Sequence, residues 1–159
     1  MHPNVERVVS AAAAHGLVVE PRQFPDSTRT AAEAAAAIGV PVGAIVKSLV
    51  WAVDGRPVLA LVSGENQLDE KKLAVSAGGA TASRPDAAVV REATGFPIGG
   101  VPPFGHSTPL PAYVDVDLLA YEVVWAAAGT PHVNFPITPA DLIRLTQAAP
   151  VDLALATTA

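Results

Sequence analysis

One lysine in this chain stands where a lysine is costly. The segment Ile45-Val46-Lys47-Ser48-Leu49-Val50-Trp51 is short, apolar and rich in β-branched residues, with a loop-like Gly-Val-Pro-Val-Gly before it and Asp54-Gly55 after it. It reads as a strand. Alternation puts Ile45, Lys47, Leu49 and Trp51 on one face and Val46, Ser48 and Val50 on the other. Both faces are largely apolar, so the strand should be covered on both sides. An ammonium group there must meet an anion or reach water. Its stem can lie along the core with the head in solvent, or pair with an internal carboxylate. It can also be a fixed cation for an anionic ligand, or an amine with a lowered pKa.

The second stretch that could do chemistry is Gly95-Phe96-Pro97-Ile98-Gly99-Gly100-Val101-Pro102-Pro103-Phe104-Gly105-His106. A flexible linker would lack its apolar anchors. Prolines stiffen such a loop, aromatics pin it, and glycines bring the backbone close to a neighbour. Gly99, Gly100, Val101 and Gly105 can aim N–H groups at an anion or a carbonyl oxygen, whereas Pro102 and Pro103 can only shape the turn. A surface turn would have the same composition.

Other chemistry finds little support. There is no Walker-type phosphate loop, no dinucleotide fingerprint and no nucleophile elbow. His2, His15, His106 and His132 lie far apart, without ligand spacing, so no metal site is expected. Asp115 and Asp117 would share a face at a strand end, where carboxylates usually cap or face solvent. Ser48 and Lys47 point opposite ways, which makes a Ser-Lys dyad geometrically poor.

The elements that must position these residues are legible in outline. A helix is expected from Asn4 to His15, stopped by Gly16, then a short strand over Leu17–Glu20 and a loop to Arg29. Thr30-Ala31-Ala32-Glu33 is a capping box opening an alanine-rich helix to Ile38, stopped by Gly39. After the Lys47 strand, Asp54-Gly55 signals a hairpin with Pro57–Val62 as partner. Asp69–Ala77 should be helical, and Ser83 should cap a helix over Pro85–Ala93. Strands are expected over Tyr113–Val116, Glu122–Ala127 and Val133–Ile137, the last broken by Pro136 as an edge would allow. Thr138 caps a final helix to about Gln147, and the tail from Asp152 should fray. Strands and helices are intermixed, which argues for a single α/β domain over residues 1–159 with a mixed β-sheet packed with helices.

Bulk properties narrow the partners. The chain has 159 residues, half of them apolar, a net charge of -5 and no cysteine. Disulfides and thiol nucleophiles are therefore excluded. An acidic balance counts against broad binding of duplex nucleic acid, though not against a pocket gripping one nucleotide or one chain end. No secretory signal and no membrane-spanning run is evident, so a cytoplasmic location is expected.

The order of segments resembles the YbaK/prolyl-tRNA synthetase-associated editing domain family. The resemblance is carried by Thr28–Ala37, the Lys47-Ser48-Leu49 strand, Thr94-Gly95 leading into Ile98–Gly105, Ala128-Gly129-Thr130 and Ile137–Leu142. It covers nearly the whole chain, and the Lys-Ser-Leu strand together with the Gly-Gly-Val-Pro-Pro-Phe-Gly loop is its specific part. It implies a free-standing deacylase that cleaves the ester between a wrong amino acid and the terminal ribose of a transfer RNA. By the same resemblance, Lys47 and the loop at Gly100 take catalytic parts. Thr28, Ser48, Gly99, Val101, Pro103, Phe104, Gly105 and Gly129 form the substrate pocket. No cofactor and no metal is expected. Some relatives carry a serine just before the glycine turn; here those positions are Ala126, Ala127 and Ala128, which leaves the amino acid open.

On this reading Lys47 grips phosphate or ribose oxygens of the terminal adenosine, so its counter-charge arrives with the substrate. Loop amides polarise the ester carbonyl. The nucleophile is a water or the amino acid's own thiol. Phe24, Phe96 or Phe104 is available to stack on adenine, with core packing as the alternative. The expected partner is the 3′ end of a mischarged tRNA, with selection among tRNAs weak or borrowed from a synthetase. A non-catalytic binding module and a general small-ester hydrolase remain as rivals.

Overall fold

The computed structural model describes residues 1–156. Helix α1 (Pro3–Ala13) opens with Pro3 and with His2, whose ring nitrogen accepts from the Asn4 N–H at 3.0 Å. It buries Val5, Val8 and Ala12, one stripe at helical spacing. The strand expected over Leu17–Glu20 does not form. Its β-propensity finds no partner, and Val18 stands exposed. Strand β1 is instead Arg22–Gln23. Helix α2 (Ala31–Ile38) is held by both halves of its capping box and ends on left-handed Gly39. Ala34 and Ala35 are buried, so the alanine-rich stretch is a packing surface.

Strand β2 (Val46–Val53) turns through Asp54 and Gly55, at φ 49° and 82°, into β3 (Arg56–Ser63). Both φ are positive, as the two-residue hairpin turn that matches strand twist requires. The register pairs Lys47 with Val62 and Val53 with Arg56. Helix α3 (Glu70–Ser76) is capped by Asp69. Strand β4 (Ala82–Ser83) pairs with β2 at Ala52 and Val53. Ser83 therefore caps nothing, and α4 (Ala87–Thr94) starts only after Asp86. Strand β5 (Ala112–Asp115) runs parallel to β3 and ends where Asp115 caps a 3₁₀ turn over Val116–Ala120. Strands β6 (Val124–Ala127) and β7 (Val133–Ile137), helix α5 (Pro139–Thr146) and β8 (Ala149–Val151) complete the order.

The strands form two sheets, β4-β2-β3-β5-β8 and β1-β7-β6. The larger is mixed: β2 and β3 are antiparallel, while β3, β5 and β8 are parallel. Strand β7 is central in the smaller sheet, but β1 covers only Val133 and Asn134, so Pro136 lies beyond that pairing. One face of the large sheet gives Val46, Val50, Leu59, Leu61 and Val114 to the main core, with Phe96, Phe104 and Phe135. The other gives Trp51, Val53, Val58, Ala60 and Val62 to a second core with Leu73 and Leu153. The β2 alternation and the two-sided cover are thus as expected. The tail is not frayed from Asp152: Leu153 is fully buried, Ala154 bridges Leu68, and Asp152 pairs with Lys72 at 2.8 Å. Residues 157–159 of that expected tail lie outside the described residues. No helix among the described residues is long and apolar enough to cross a membrane.

The sheets meet at one bridge, between Ile45 and Trp125. Between that bridge and the β4 pair at Ala52, the outer edge of β2 has no neighbouring strand among the described residues.

Candidate functional site

A cavity of about 1220 Å³ runs along this open edge. Its walls are Ile45 and residues 46–51 of β2, the turn into α2 from Thr28, the loop Ile98–Val101, and Ala127 and Asn134 of the small sheet. Gln67–Lys71, Arg84, Pro85 and Leu155 close the other end.

Lys47 lines the cavity with its amine half-buried. Its Nζ donates to the Asn66 carbonyl. The Asn66 amide donates in turn to Asp115 at 2.9 Å and Asp117 at 2.7 Å. Asp115 is fully buried and also accepts from the Ser63 and Asp117 N–H groups, at 3.1 and 2.9 Å. The two aspartates thus fix Asn66, and Asn66 aims the lysine. No carboxylate among the described residues forms an ion pair with Lys47. Burial pushes the amine's pKa down, and the Asp115 charge partly offsets this. The counter-charge question raised by the sequence therefore has an internal half-answer: Asp115 attracts the amine through Asn66 without neutralising it.

The facing loop is held by packing that only glycine allows. A Cβ on Gly100, at φ 148°, would come within 3.0–3.1 Å of the Thr130 backbone. A Cβ on Gly99, at φ 86°, would meet the Arg29 side chain at 3.2 Å. Val101, Pro102, Pro103 and Phe104 are buried anchors. Arg7 of α1 clamps both ends of the loop, donating to the Gly95 carbonyl at 2.9 Å and the Gly105 carbonyl at 3.3 Å. Its guanidinium lies 4.2 Å from the Phe96 ring centre. Asn4, one turn earlier, donates to the Gly129 carbonyl at 3.0 Å. His106 donates from Nε2 to the Pro102 carbonyl at 2.6 Å; burial lowers its pKa.

Thr28, Lys47, Ser48, Gly99, Gly100 and Val101 come together on the cavity wall. Pro103, Phe104, Gly105 and Gly129 lie behind it. Phe104 packs edge-on against Phe135 at 5.5 Å, Gly105 lies against α1, and Gly129 against Asn4. Phe96 is fully buried and Phe24 packs beside α2, so neither ring faces the cavity; the aromatic in its wall is Trp51, with the Arg84 guanidinium 5.6 Å from the ring. Residue-by-residue reading missed Trp51, Arg84, Gln67 and Asn134. Asn134 gave a signal of the kind Lys47 gave, a polar residue inside an apolar strand. It is buried and donates to Thr28 Oγ1 at 2.6 Å, and Thr28 donates to the Pro131 carbonyl at 2.8 Å. Ser48 Oγ is buried and has no hydrogen-bond partner among the described residues.

A family model described as "Aminoacyl-tRNA editing domain" matches residues 25–145, a span that contains every part of this wall except Leu155. The chain belongs to the aminoacyl-tRNA editing domain family. The editing domain superposes with TM-score 0.92 and 48% identity on the crystal structure of a proposed trans-editing enzyme for prolyl tRNA synthetase, covering 98% of this chain and 99% of that one. It is 35% identical over 106 residues to the proline–tRNA ligase of Geobacter sulfurreducens, covering 67% of this chain but 19% of the ligase. It is 28% identical over 118 residues to EbsC of Enterococcus faecalis, a proposed Cys-tRNA(Pro)/Cys-tRNA(Cys) deacylase, covering 74% and 72% of the two chains. Among the described residues, no group of three or more histidine, aspartate or glutamate side chains is arranged to hold a metal ion in this editing domain.

Proposed function

We propose that this chain is a free-standing deacylase that hydrolyses the ester of a mischarged aminoacyl-tRNA, with cysteine or alanine on a proline tRNA as the leading substrates. The observation that carries this reading is a half-buried lysine with no carboxylate partner among the described residues, sharing one cavity wall with a double-glycine loop. The cavity exceeds the roughly 300–1,000 Å³ of common small-molecule sites, so an aminoacyl-adenosine has room.

Lys47 holds phosphate or ribose oxygens of the terminal adenosine, bringing the acyl group beneath the loop. Water attacks the ester carbon, and the loop N–H groups around Gly100 stabilise the negative oxygen that forms. The carbon–oxygen bond to the ribose then breaks, and the ribose oxygen leaves and takes a proton. The products are the free amino acid and the uncharged tRNA. Where the acyl group carries a thiol, that sulfur can attack in place of water; the ribose oxygen leaves with the thiol's proton, and water then opens the cyclic thioester to the free amino acid.

The test is a panel of mischarged tRNAs, including Cys-, Ala- and Ser-tRNA(Pro), incubated with the wild type and Lys47→Ala. Release of at least one amino acid by the wild type, with the variant slower, is expected. If no species is cleaved, the chain is a binding module. Equal cleavage of simple amino acid esters lacking a nucleotide would make it a general esterase.

A further inference from the structure

The open edge of β2 has a definite polarity. The hairpin turn makes Val53 and Arg56 a hydrogen-bonded pair, so the odd-numbered residues of β2 turn their N–H and C=O groups toward β3. The even-numbered residues turn theirs outward. Three bonds fix this parity independently: Ile45 accepts from Gly64 on the β3 side, Leu59 of β3 donates to Pro111 on the far side, and Asp54 donates outward to Thr81. Ser48 and Val50 therefore present main-chain donors and acceptors to the cavity. Among the described residues, no neighbouring strand takes them up between the Ile45–Trp125 bridge and the Ala52–Ser83 pair. Backbone groups left unpaired along a cavity are met by water or by a ligand that displaces it.

The edge is closed at both ends, so it is a notch, not a groove through which a peptide strand could run. Its occupant must be short, must bring donors as well as acceptors, and must reach toward the cation at Lys47 and the amides at Gly100. The main-chain end of an aminoacyl ester fits that description: a free amino group beside the reacting carbonyl. We infer that the β2 notch at Ser48 and Val50 recognises the free α-amino group of the aminoacyl moiety, with the outward carbonyls as its acceptors. The inference rests on the deacylase reading and deepens it. The enzyme then cleaves aminoacyl esters and rejects N-blocked ones, so that chain-initiating or peptide-carrying tRNAs are spared. An acyl cap turns the ammonium into an amide, which removes its charge and all but one of its N–H donors and adds bulk between β4 and the Trp125 bridge.

The experiment compares each aminoacyl-tRNA cleaved by the wild-type protein with its N-acetylated form. It is paired with amide-resolved NMR titration using a hydrolysis-resistant 3′-aminoacylamido-adenosine, free and N-acetylated. The expected result is a loss of at least about 100-fold in kcat/KM on acetylation, since a site built to hydrogen-bond several N–H groups of a cation rejects an analogue with one N–H and no charge. The free amide should shift the Ser48 and Val50 resonances and the acetylated amide should not. Equal cleavage of both forms overturns this inference and leaves the deacylase reading intact. If no ester is cleaved, the deacylase reading falls and the titration decides: shifts at Ser48 and Val50 that require the free amine uphold the notch, and their absence overturns it.

Discussion

At the scale of single residues, Lys47 is aimed from behind by an uncharged relay. The Asn66 carbonyl takes the amine, and two aspartates hold Asn66. Replacing Lys47 with alanine removes a cation that substrate has yet to neutralise. Deacylation should fall by about 10²-fold or more, as when a transition-state donor is lost. The melting temperature should stay within about 3 °C of wild type, because a desolvated charge contributes little to the fold. A second expectation concerns pH. Burial lowers the pKa of Lys47, so the amine discharges at lower pH than an ordinary lysine. The rate, corrected for uncatalysed ester hydrolysis, should therefore fall on an alkaline limb placed below the normal lysine range. Lys47→Arg should shift that limb upward if any activity survives. For stability the sign is opposite: the folded state holds fewer protons than the unfolded state in that window, so the Lys47 contribution rises as pH rises through it. Lys47 was legible from sequence because a charge in an apolar strand contradicts its surroundings. Trp51 and Arg84 were not, since an aromatic in a strand and an arginine in a loop contradict nothing.

At the scale of elements, the double-glycine loop is shaped from outside the cavity. Helix α1 contributes nothing to the wall, yet its Arg7 ties Gly95 and Gly105 together across the loop. Arg7→Ala should cost about 2–3 kcal/mol in chemical denaturation, from lost carbonyl bonds and the contact with Phe96. Under the proposed role of the loop amides in the transition state, it should lower kcat more than it raises KM. Arg7→Lys, which cannot span both carbonyls, should rescue only in part. Gly100→Ala attacks the same loop from the front. Its methyl would meet the Thr130 backbone, which cannot swing aside as a side chain can, so a loss of roughly 1–3 kcal/mol is expected. The sequence showed that this loop is ordered but not what it leans on. Arg7 and Gly105 are far apart in the chain, and only the folded backbone brings them together. For the same reason Leu17–Glu20 looked like a strand and is not, while the tail looked loose and is stapled by Leu153.

At the scale of the whole molecule, the net charge of -5 limits how firmly an RNA body can be held. Binding should therefore depend weakly on salt. A plot of log KM against log salt should have a slope matching about one to three phosphate contacts, far below that of a protein lying along a duplex. A steep slope would point to a basic surface that the composition does not supply. The mixed sheet with helices was readable from the alternation of elements, since local patterns set strand and helix identity. The division into two sheets was not, because it depends on the single Ile45–Trp125 bridge.

Strand β4 has a further consequence. The chain leading into it is held by Asp54, whose carboxylate accepts from the Ala80 and Thr81 N–H groups at 2.9–3.1 Å, and its own two residues pair with Ala52 and Val53. They cover one end of an apolar strand whose edge is otherwise a template for another chain. Asp54→Ala should loosen that cover, and light scattering should then rise with protein concentration while the wild type stays monodisperse. The short strand that limits how long a ligand can be would thus also keep copies of the molecule from adding to one another.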